Sequence, residues 1–270
     1  MLNQATSEAD FPPRPSMPGW KRAIAILGVV AAVAIYWTSL SISEFDPNRL
    51  AEGTPVMLHW LGKAWPPDTH GFDLLLYRAA ETFAMALVGT SLGCTMALPL
   101  CLLAARNINR NVFSQQVVRV ILNALRGTDT LIFAIIFVVA VGLGPFAGVL
   151  GVSLHTAGIV AKLWSEAIES VDEGPMQAAM LSGATRIKTI SYALLPDVVP
   201  MLVSVGLYAI EFNVRASTVL GLVGAGGIGQ ELKNSVDLLN FPRIFTIVMV
   251  ILAIVTFVDQ VSAYIRRRLI

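Results

Sequence analysis

Four charged side chains stand inside long apolar stretches, in two pairs of opposite sign: Lys162 with Glu166, and Glu211 with Arg215. Each pair is spaced i and i+4, so that on a helix its two members would share one face. A charge in the middle of a membrane costs about 2.5–3.5 kcal/mol, so these side chains must face protein or water. Two roles stay open. The two cations could line a path for an anion, or each charge could neutralise its neighbour and hold helices together.

A glycine-rich segment, VLGLVGAGGIGQEL, follows the second pair. Three of its glycines match G-x-G-x-x-G, the fingerprint of dinucleotide-binding enzymes. That fingerprint requires a βαβ unit and an acidic residue about 20 positions further on, whereas here that region, around Val248 to Val250, is apolar. The chain also has no G-x-x-x-x-G-K-[ST] loop, so we reject a nucleotide-binding enzyme. We predict instead a tight, non-helical segment packed among helices, with these pore-loop glycines: Gly224, Gly226, Gly227 and Gly229.

No metal centre and no disulfide are predicted. Two histidines and two aspartates fall between residues 59 and 73, but their spacing fits no familiar ligand pattern, so we interpret them as solvated loop residues. Cys94 and Cys101 are seven residues apart in one apolar stretch. On a helix that spacing separates them by about 10 Å along the axis, so they are predicted to be packing residues.

The composition is that of an integral membrane protein. Of 270 residues, 55% are hydrophobic and 14% charged, whereas soluble domains have about 25% charged residues. The net charge of +1 provides no field that would attract nucleic acid. A membrane-spanning helix needs about 20 apolar residues. An all-α polytopic membrane protein with about six transmembrane helices is therefore predicted, its spans being 23–40, 82–104, 117–141, 152–171, 198–220 and 244–265.

Lysines and arginines are distributed unevenly between the two sets of connecting segments. Since loops rich in these residues stay in the cytoplasm, the heavier set is predicted to be cytoplasmic, together with both termini. The chain then divides into a disordered cytoplasmic tail (1–22), an additional transmembrane helix with a periplasmic interfacial loop (23–76), and a core domain (77–270). The cytoplasmic set comprises Lys21, Arg22, Arg106, Arg110, Arg186, Lys188 and the terminal triplet 266–268; the other comprises Arg49, Lys63, Arg78, Lys233 and Arg243.

A polar island, residues 172–196, separates the fourth and fifth spans. Gly174-Pro175 is predicted to begin a short helix, which Gly183 ends in a left-handed conformation. Thr185 is predicted to cap a second helix that Pro196 ends. The resulting elbow would present two small apolar faces at the membrane surface, which predicts a partner. These faces are formed by Met176, Ala179 and Met180, and by Ile187, Ile190 and Leu194.

The elbow resembles the cytoplasmic EAA loop of binding-protein-dependent ABC importer permeases, whose pattern is E-A-A-x₃-G-x₉-I-x-L-P. Ala178-Ala179, Gly183 and Leu195-Pro196 occupy matching positions, whereas Gln177 replaces the glutamate and Ala193 the isoleucine. Four longer stretches are similar to the phosphonate-type permeases often called PhnE: 77–107, 141–158, 163–179 and 211–232. RGTDTLIFA, residues 126–134, departs from that family, which tends to a proline near Asp129; residues 1–76 are not well covered.

This resemblance implies the MetI-like core of a type I ABC importer permease in a bacterial inner membrane. A periplasmic binding protein would deliver a phosphonate, phosphite or hypophosphite to a dimer with a second permease copy or a paralogue. Two ATPase subunits would bind ATP and Mg²⁺, so this chain would carry no cofactor and no catalysis. The positions implied for ATPase coupling are Gln177, Ala178, Ala179, Gly183, Arg186, Leu195 and Pro196. The resemblance also implies a polar cluster in the fifth span, which adds Asn213 to Glu211 and Arg215 as translocation-path candidates.

Two other transport functions remain as alternatives. One is an ABC importer permease for another small solute. The other is a secondary carrier driven by an ion gradient, which would usually be longer and contain inverted repeats. No internal repeat is present in this sequence, which favours the ABC permease.

Overall fold

The computed structural model describes residues 19–109, 111–172 and 174–269, without the side chains of residues 22, 186, 187 and 269. The predicted disordered tail falls almost entirely outside these residues. The chain divides into two compact units, one ending at His59 and the other beginning at Trp60.

The first unit contains α1 (Gly19–Ile42) and most of α2 (Pro47–Lys63). α1 has 24 residues and is long and apolar enough to cross a membrane, which confirms the first predicted span. α2 corrects the prediction of a loop over this region. Asp46 accepts a hydrogen bond from the amide of Asn48 at 2.9 Å, and Pro47 is the first helical residue, so the helix has both a cap and a favourable start.

The second unit is built around two long helices, α3 (Phe72–Ala104) and α6 (Pro145–Glu169). They cross closely because Gly89 and Gly93 of α3 have no side chains. A Cβ atom at Gly93 would lie 2.6 Å from a side-chain carbon of Thr156 in α6. The two glycines thus form a small-xxx-small contact that lets the helices approach closely. α6 begins at Pro145, earlier than the predicted span at residue 152, because proline suits the first helical position. Only residues 142–144 therefore connect α5 to α6.

The third predicted span is not one straight helix. It divides into α4 (Val112–Gly127) and α5 (Thr130–Val141), which are bent by 90° relative to each other. Asp129 stands at the break, and its carboxylate accepts a hydrogen bond from the amide of Leu131 at 2.8 Å. Such a cap begins a new helix, whereas hydropathy alone continues across the break.

The elbow also departs from its predicted end. α7 (Gly174–Leu181) and α8 (Arg186–Thr189) form the two short helices, and Thr185 directly precedes α8. Pro196, however, does not end the second helix. A π-helical turn (Ile190–Leu194) connects α8 directly to α9 (Leu195–Leu220), so that Pro196 lies in the first turn of α9, where a missing amide donor is tolerated.

The chain ends with a 3-10 turn (Gly221–Val223), α10 (Gly227–Asp237) and α11 (Phe241–Leu269). Among the described residues, five helices are long and apolar enough to cross a membrane, or six if α4 and α5 count as one broken span. This confirms the predicted all-α fold. A large apolar cluster packs α3, α4 and α6 against the elbow and α9, around Trp164, Met176 and Leu194. Cys101 is buried there, and both cysteines are free thiols.

Candidate functional site

The turn of the elbow depends on Gly183, the residue that was predicted to end the first short helix. Its φ of 80° is left-handed, which confirms that prediction. The amide of Ala184 donates to the carbonyl of Ala179 at 3.1 Å, and the amide of Gly183 donates to the carbonyl of Met180 at 3.0 Å. This pair of bonds is the Schellman motif, in which glycine at this position avoids the strain of a left-handed side chain.

The two apolar faces predicted for the elbow are only partly available to a partner. Met176 and Leu194 are 8% and 2% exposed because they pack into the core of this same chain. Met180, a member of the first predicted face, is exposed, and three apolar side chains outside the predicted faces are exposed as well: Leu181, Tyr192 and Leu195. Of the predicted coupling residues, four others lie on the exposed surface, namely Gln177, Ala178, Gly183 and Pro196, whereas Ala179 is half-buried. The side chain of Arg186 lies outside the described residues.

Hydrogen bonds join both ends of the elbow to the helical core. At the end of α6, the Glu169 carboxylate accepts from the Arg106 amide at 2.7 Å and pairs with Arg119 of α4. At the start of α9, the indole of Trp164 donates to the carbonyl of Leu202 at 3.0 Å. The helices on both sides of the elbow are therefore held against other helices of the core.

The two charged pairs predicted from their i, i+4 spacing have different outcomes. Lys162 and Glu166 form the predicted ion pair, with 3.2 Å between Nζ and Oε1. Glu211 and Arg215 do not pair through their charged groups. The only bond from Arg215 to Glu211 runs from its Nε to the backbone carbonyl, at 3.1 Å. The alternative in which these two charges neutralise each other is therefore wrong.

The charges of α9 pair instead with α11. The buried Glu211 carboxylate, whose side chain is 10% exposed, forms its ion pair with Arg266. Arg215 lies 3.5 Å from Asp259, and both of these side chains are about half exposed. The two helices run antiparallel, so their register brings together residues far apart in the sequence. Asp259 and Arg266 were therefore not predicted from the sequence as partners of these charges.

Asn213, the other polar residue of α9, crosslinks three helices. Its amide nitrogen donates to the hydroxyls of Thr90 in α3 and Thr156 in α6, both at 2.8 Å. The side chain is 1% exposed, and within the described part of the chain its Oδ1 has no hydrogen-bond partner. An adjoining void of about 10 Å³ has room for about one water molecule. Asn213 is thus a structural crosslink.

A cavity of about 530 Å³ lies between the start of α5 and the C-terminal half of α9. Arg215 is the only translocation-path candidate from the sequence among the residues that line it, whereas Lys162, Glu166, Glu211 and Asn213 lie elsewhere. Its other polar residues are Asp129, Thr130 and Tyr208. None of these three residues was among the translocation-path candidates from the sequence. An aspartate that caps a helix within an apolar span was the available signal.

The glycine-rich segment connects α9 to α10, and the backbone at the end of α9 lies against the backbone at the start of α10. Gly224, Gly226 and Gly227 all have positive φ angles, between 71° and 91°, so the predicted irregular conformation is confirmed there. Gly229 instead lies inside α10, and the expectation of non-helical backbone is wrong at this residue. Its role is close packing, since a Cβ there would lie 1.8 Å from the Thr218 carbonyl oxygen.

Comparisons with known proteins agree with this architecture. The family model described as "Binding-protein-dependent transport system inner membrane component" matches residues 97–270. A chain from an inward-facing structure of the MetNI methionine ABC transporter superposes with a TM-score of 0.66 at 24% identity, covering 75% of this chain and 100% of that one. At this identity the likeness shows the fold alone.

Relatives of known name are similar over most of the chain. HtxC of Stutzerimonas stutzeri, which carries the name of a phosphite transport system permease protein, is 45% identical over 88% of this chain and 83% of its own length. PtxC, a phosphite transport system permease protein of the same species, is 40% identical over 92% and 90%. The phosphate-import permease protein PhnE of Mycolicibacterium smegmatis is 37% identical over 84% of this chain and 43% of its own length. The chain belongs to the family of binding-protein-dependent transport system inner membrane components, the permease subunits of ABC importers.

Proposed function

We propose that this permease moves a phosphorus oxyanion across the bacterial inner membrane. The observation that carries the proposal is its 40–45% identity, over nearly the full chain, to two proteins named as phosphite permeases. The candidate ions are phosphite, phosphonate and hypophosphite, and the similarity to PhnE adds phosphate. Arg215 supports an anionic substrate because it brings a guanidinium to the wall of the cavity beside α5.

Of the five translocation-path candidates, Arg215 is the residue that we assign to contact with the anion. The other four make contacts within the protein that account for their presence: Lys162 with Glu166, Glu211 with Arg266, and Asn213 with two threonines. The Glu211 and Asn213 contacts join helices, and the Lys162–Glu166 pair neutralises two charges within α6, so none of these four residues needs a ligand.

The partners follow from the same assignment. A periplasmic binding protein would deliver the anion, and two ATPase subunits would hold ATP and Mg²⁺ outside this chain. A second permease, identical or paralogous, would complete the pathway. The elbow offers the ATPases an exposed surface formed by Met180, Leu181, Tyr192 and Leu195. The distribution of cations supports a cytoplasmic position for the elbow and both termini, and residues 77–270 would form the permease core.

ATP-driven closure of the ATPases would move the elbow as a lever. The Glu169 and Trp164 contacts would transmit this movement to α6 and α9. The chain between α8 and α9 is the place where it can bend, because the π-helical turn is followed by Pro196 and Pro200, neither of which donates a backbone hydrogen bond. The helices would then alternate between inward- and outward-open arrangements.

The substrate assignment is tested by reconstituting the permease with its ATPase and binding protein in vesicles. ATP hydrolysis is measured with a panel of phosphite, methylphosphonate, hypophosphite, phosphate, sulfate and methionine. We expect at least one phosphorus oxyanion to stimulate hydrolysis and to accumulate in the vesicles. Stimulation by methionine or sulfate, with none by the phosphorus oxyanions, would refute the assignment.

The elbow assignment predicts that Gly183→Leu uncouples hydrolysis from uptake. No atom lies within 4 Å of a Cβ added at this position, so we expect the effect to come from the backbone, whose φ is 80°. A left-handed conformation costs an ordinary residue about 1–2 kcal/mol. We expect uptake per ATP hydrolysed to fall about tenfold, because a 1.4 kcal/mol change is tenfold in an equilibrium constant.

Gly183→Asn is the matched control, because asparagine tolerates the left-handed conformation. Its uptake per ATP should remain near that of the unmodified protein. If the leucine and asparagine variants behave alike, the conformation of this turn does not control coupling.

A further inference from the structure

The cavity between the start of α5 and the C-terminal half of α9 combines four polar groups with an apolar wall. The wall includes Leu131 and Phe212. The polar groups belong to Asp129, Thr130, Tyr208 and Arg215. A volume of about 530 Å³ is ample for an oxyanion of a few heavy atoms together with some of its hydration water. A mostly apolar pocket with few, well-placed polar groups is typical of small-molecule sites.

Arg215 keeps part of its donor capacity for a ligand. Its Nε donates to the Glu211 carbonyl at 3.1 Å, and its Nη2 lies 3.5 Å from Asp259. Neither contact occupies Nη1, for which no partner exists among the described residues. The guanidinium is therefore held in place by one good backbone bond while a further N–H group remains available. Arginine binds planar pairs of oxyanion oxygens through such parallel donors.

Thr130 contributes an unused hydroxyl. The residue is 3% exposed, and its Oγ1 has no hydrogen-bond partner within the described part of the chain. A buried polar group without a partner is destabilising, and a ligand oxygen at this position would satisfy it. Thr130 is also the first residue of α5, a helix of 12 residues, whose N-terminus carries a partial positive charge. Two independent features at this residue therefore favour an anion.

Asp129 restricts which anions are suitable. One carboxylate oxygen accepts from the amide of Leu131 at 2.8 Å. The second accepts no hydrogen bond from any described residue, and the residue is exposed. A carboxylate repels a fully ionised oxyanion that has only acceptors, but it accepts a hydrogen bond from an acidic P–OH group. The presence of donors and a carboxylate in one cavity therefore favours an oxyanion that still carries a proton.

We infer that this cavity is a transit site for a phosphorus oxyanion that carries a P–OH group. Arg215 and Thr130 donate hydrogen bonds to its P–O oxygens, and Asp129 accepts one from its P–OH. The inference rests on the proposed function, since it assumes that a phosphorus oxyanion passes through this permease. It selects within that class: monoanionic phosphite and phosphate carry the required proton, whereas hypophosphite, with two P–H bonds, does not.

The test measures binding to the purified permease–ATPase complex without its binding protein, so that upstream selection does not intervene. Phosphite and hypophosphite are the two probes, titrated at mildly acidic pH, where monoanionic phosphite is populated, and followed by phosphorus NMR line broadening. Asp129→Asn keeps a helix-capping residue but cannot accept the P–OH proton in the same way. A hydrogen bond to a charged acceptor is stronger than one to a neutral amide oxygen, and the neutral side chain no longer repels hypophosphite. We therefore expect the ratio of phosphite affinity to hypophosphite affinity to fall roughly tenfold.

Two further variants and one control complete the experiment. Thr130→Val and Arg215→Lys should weaken both ions, because each removes a donor that does not depend on the P–OH proton. Thr95→Val is the matched control: this exposed threonine of α3 bonds only to the Ser91 carbonyl, at 2.8 Å, and should bind both ions normally. If Asp129→Asn does not give a monodisperse complex, Asp129→Ser, which also caps helices, replaces it with the same expected selectivity.

Equal changes for the two ions in the Asp129 variant, or unchanged binding in all three variants, would overturn the inference. So would an unmodified complex that binds neither ion yet takes up phosphite with its binding protein, and in that case the proposed function would stand. Failure of the reconstituted transporter to take up any phosphorus oxyanion would instead overturn the proposed function. The two failures are therefore distinguishable.

Discussion

Replacing Gly93 with leucine is expected to prevent most of the protein from folding. A Cβ atom at this position would lie 2.6 Å from a Thr156 side-chain carbon and 2.8 Å from the backbone oxygen of Ser153. The backbone atom cannot rotate away as a flexible side chain would, so α3 and α6 would have to separate. Overpacking of this kind costs about 1–3 kcal/mol and occasionally more. Here the separation would also strain the bond between Thr156 and Asn213.

The measurement is the yield of monodisperse protein in detergent, by size-exclusion chromatography with a fluorescent fusion, together with its thermal transition. We expect a severalfold loss of yield for Gly93→Leu. Gly206→Leu is the matched control, because it places the same side chain within a helix where no atom lies within 4 Å of the new Cβ. Similar yields for the two variants would show that the contact between α3 and α6 tolerates a side chain.

Glu211→Ala is expected to destabilise the contact between α9 and α11. The Glu211 side chain is 10% exposed and pairs with Arg266, which is 33% exposed. The Nε of Arg266 is also buried, without a hydrogen-bond partner in the described part of the chain. Removing one member of a buried pair leaves an uncompensated charge, which costs about 3–5 kcal/mol. Partial exposure of Arg266 places the expected loss near the lower end, about 3 kcal/mol.

This loss can be assigned to the charge by a double-mutant cycle. In the variant that combines Glu211→Gln and Arg266→Gln, no uncompensated charge remains, so stability should recover in part. Asp259→Ala is the control, since its pair with Arg215 spans 3.5 Å between half-exposed groups and should contribute at most about 1 kcal/mol. Additive effects of the Glu211 and Arg266 substitutions would contradict the pairing that the structure describes.

The contacts of α9 separate its structural residues from its candidate functional residue. Glu211 and Asn213 are buried and bonded to other helices, whereas Arg215 is half exposed on a cavity wall. All three were grouped as one polar cluster on the basis of sequence. Their exposure and their hydrogen-bond partners distinguish these three residues. A residue that binds a substrate needs accessible donors without partners, whereas a residue that joins helices uses its donors within the protein.

Several features could be predicted from the sequence because they depend on neighbours along the chain. The lengths of the apolar stretches predicted the all-helical membrane fold. A glycine followed by the capping residue Thr185 predicted the left-handed turn at Gly183. The permease family was predicted from the spacing of Ala178-Ala179, Gly183 and Leu195-Pro196. The Lys162 and Glu166 pair was also predicted correctly, since both residues belong to one helix and face the same side.

Other features were decided only by the tertiary structure. Hydropathy is a one-dimensional average, so it could not detect the 90° bend between α4 and α5 that brings Asp129 and Thr130 to the cavity. The partners of Glu211 and Arg215 lie on α11, and their pairing depends on the register of two antiparallel helices, which spacing within one helix does not specify. The sequence by itself therefore determined most of the long helices, the turn of the elbow and the family. Tertiary packing determined that Glu211 is buried against Arg266, whereas Arg215, 3.5 Å from Asp259, stays half exposed on a cavity wall.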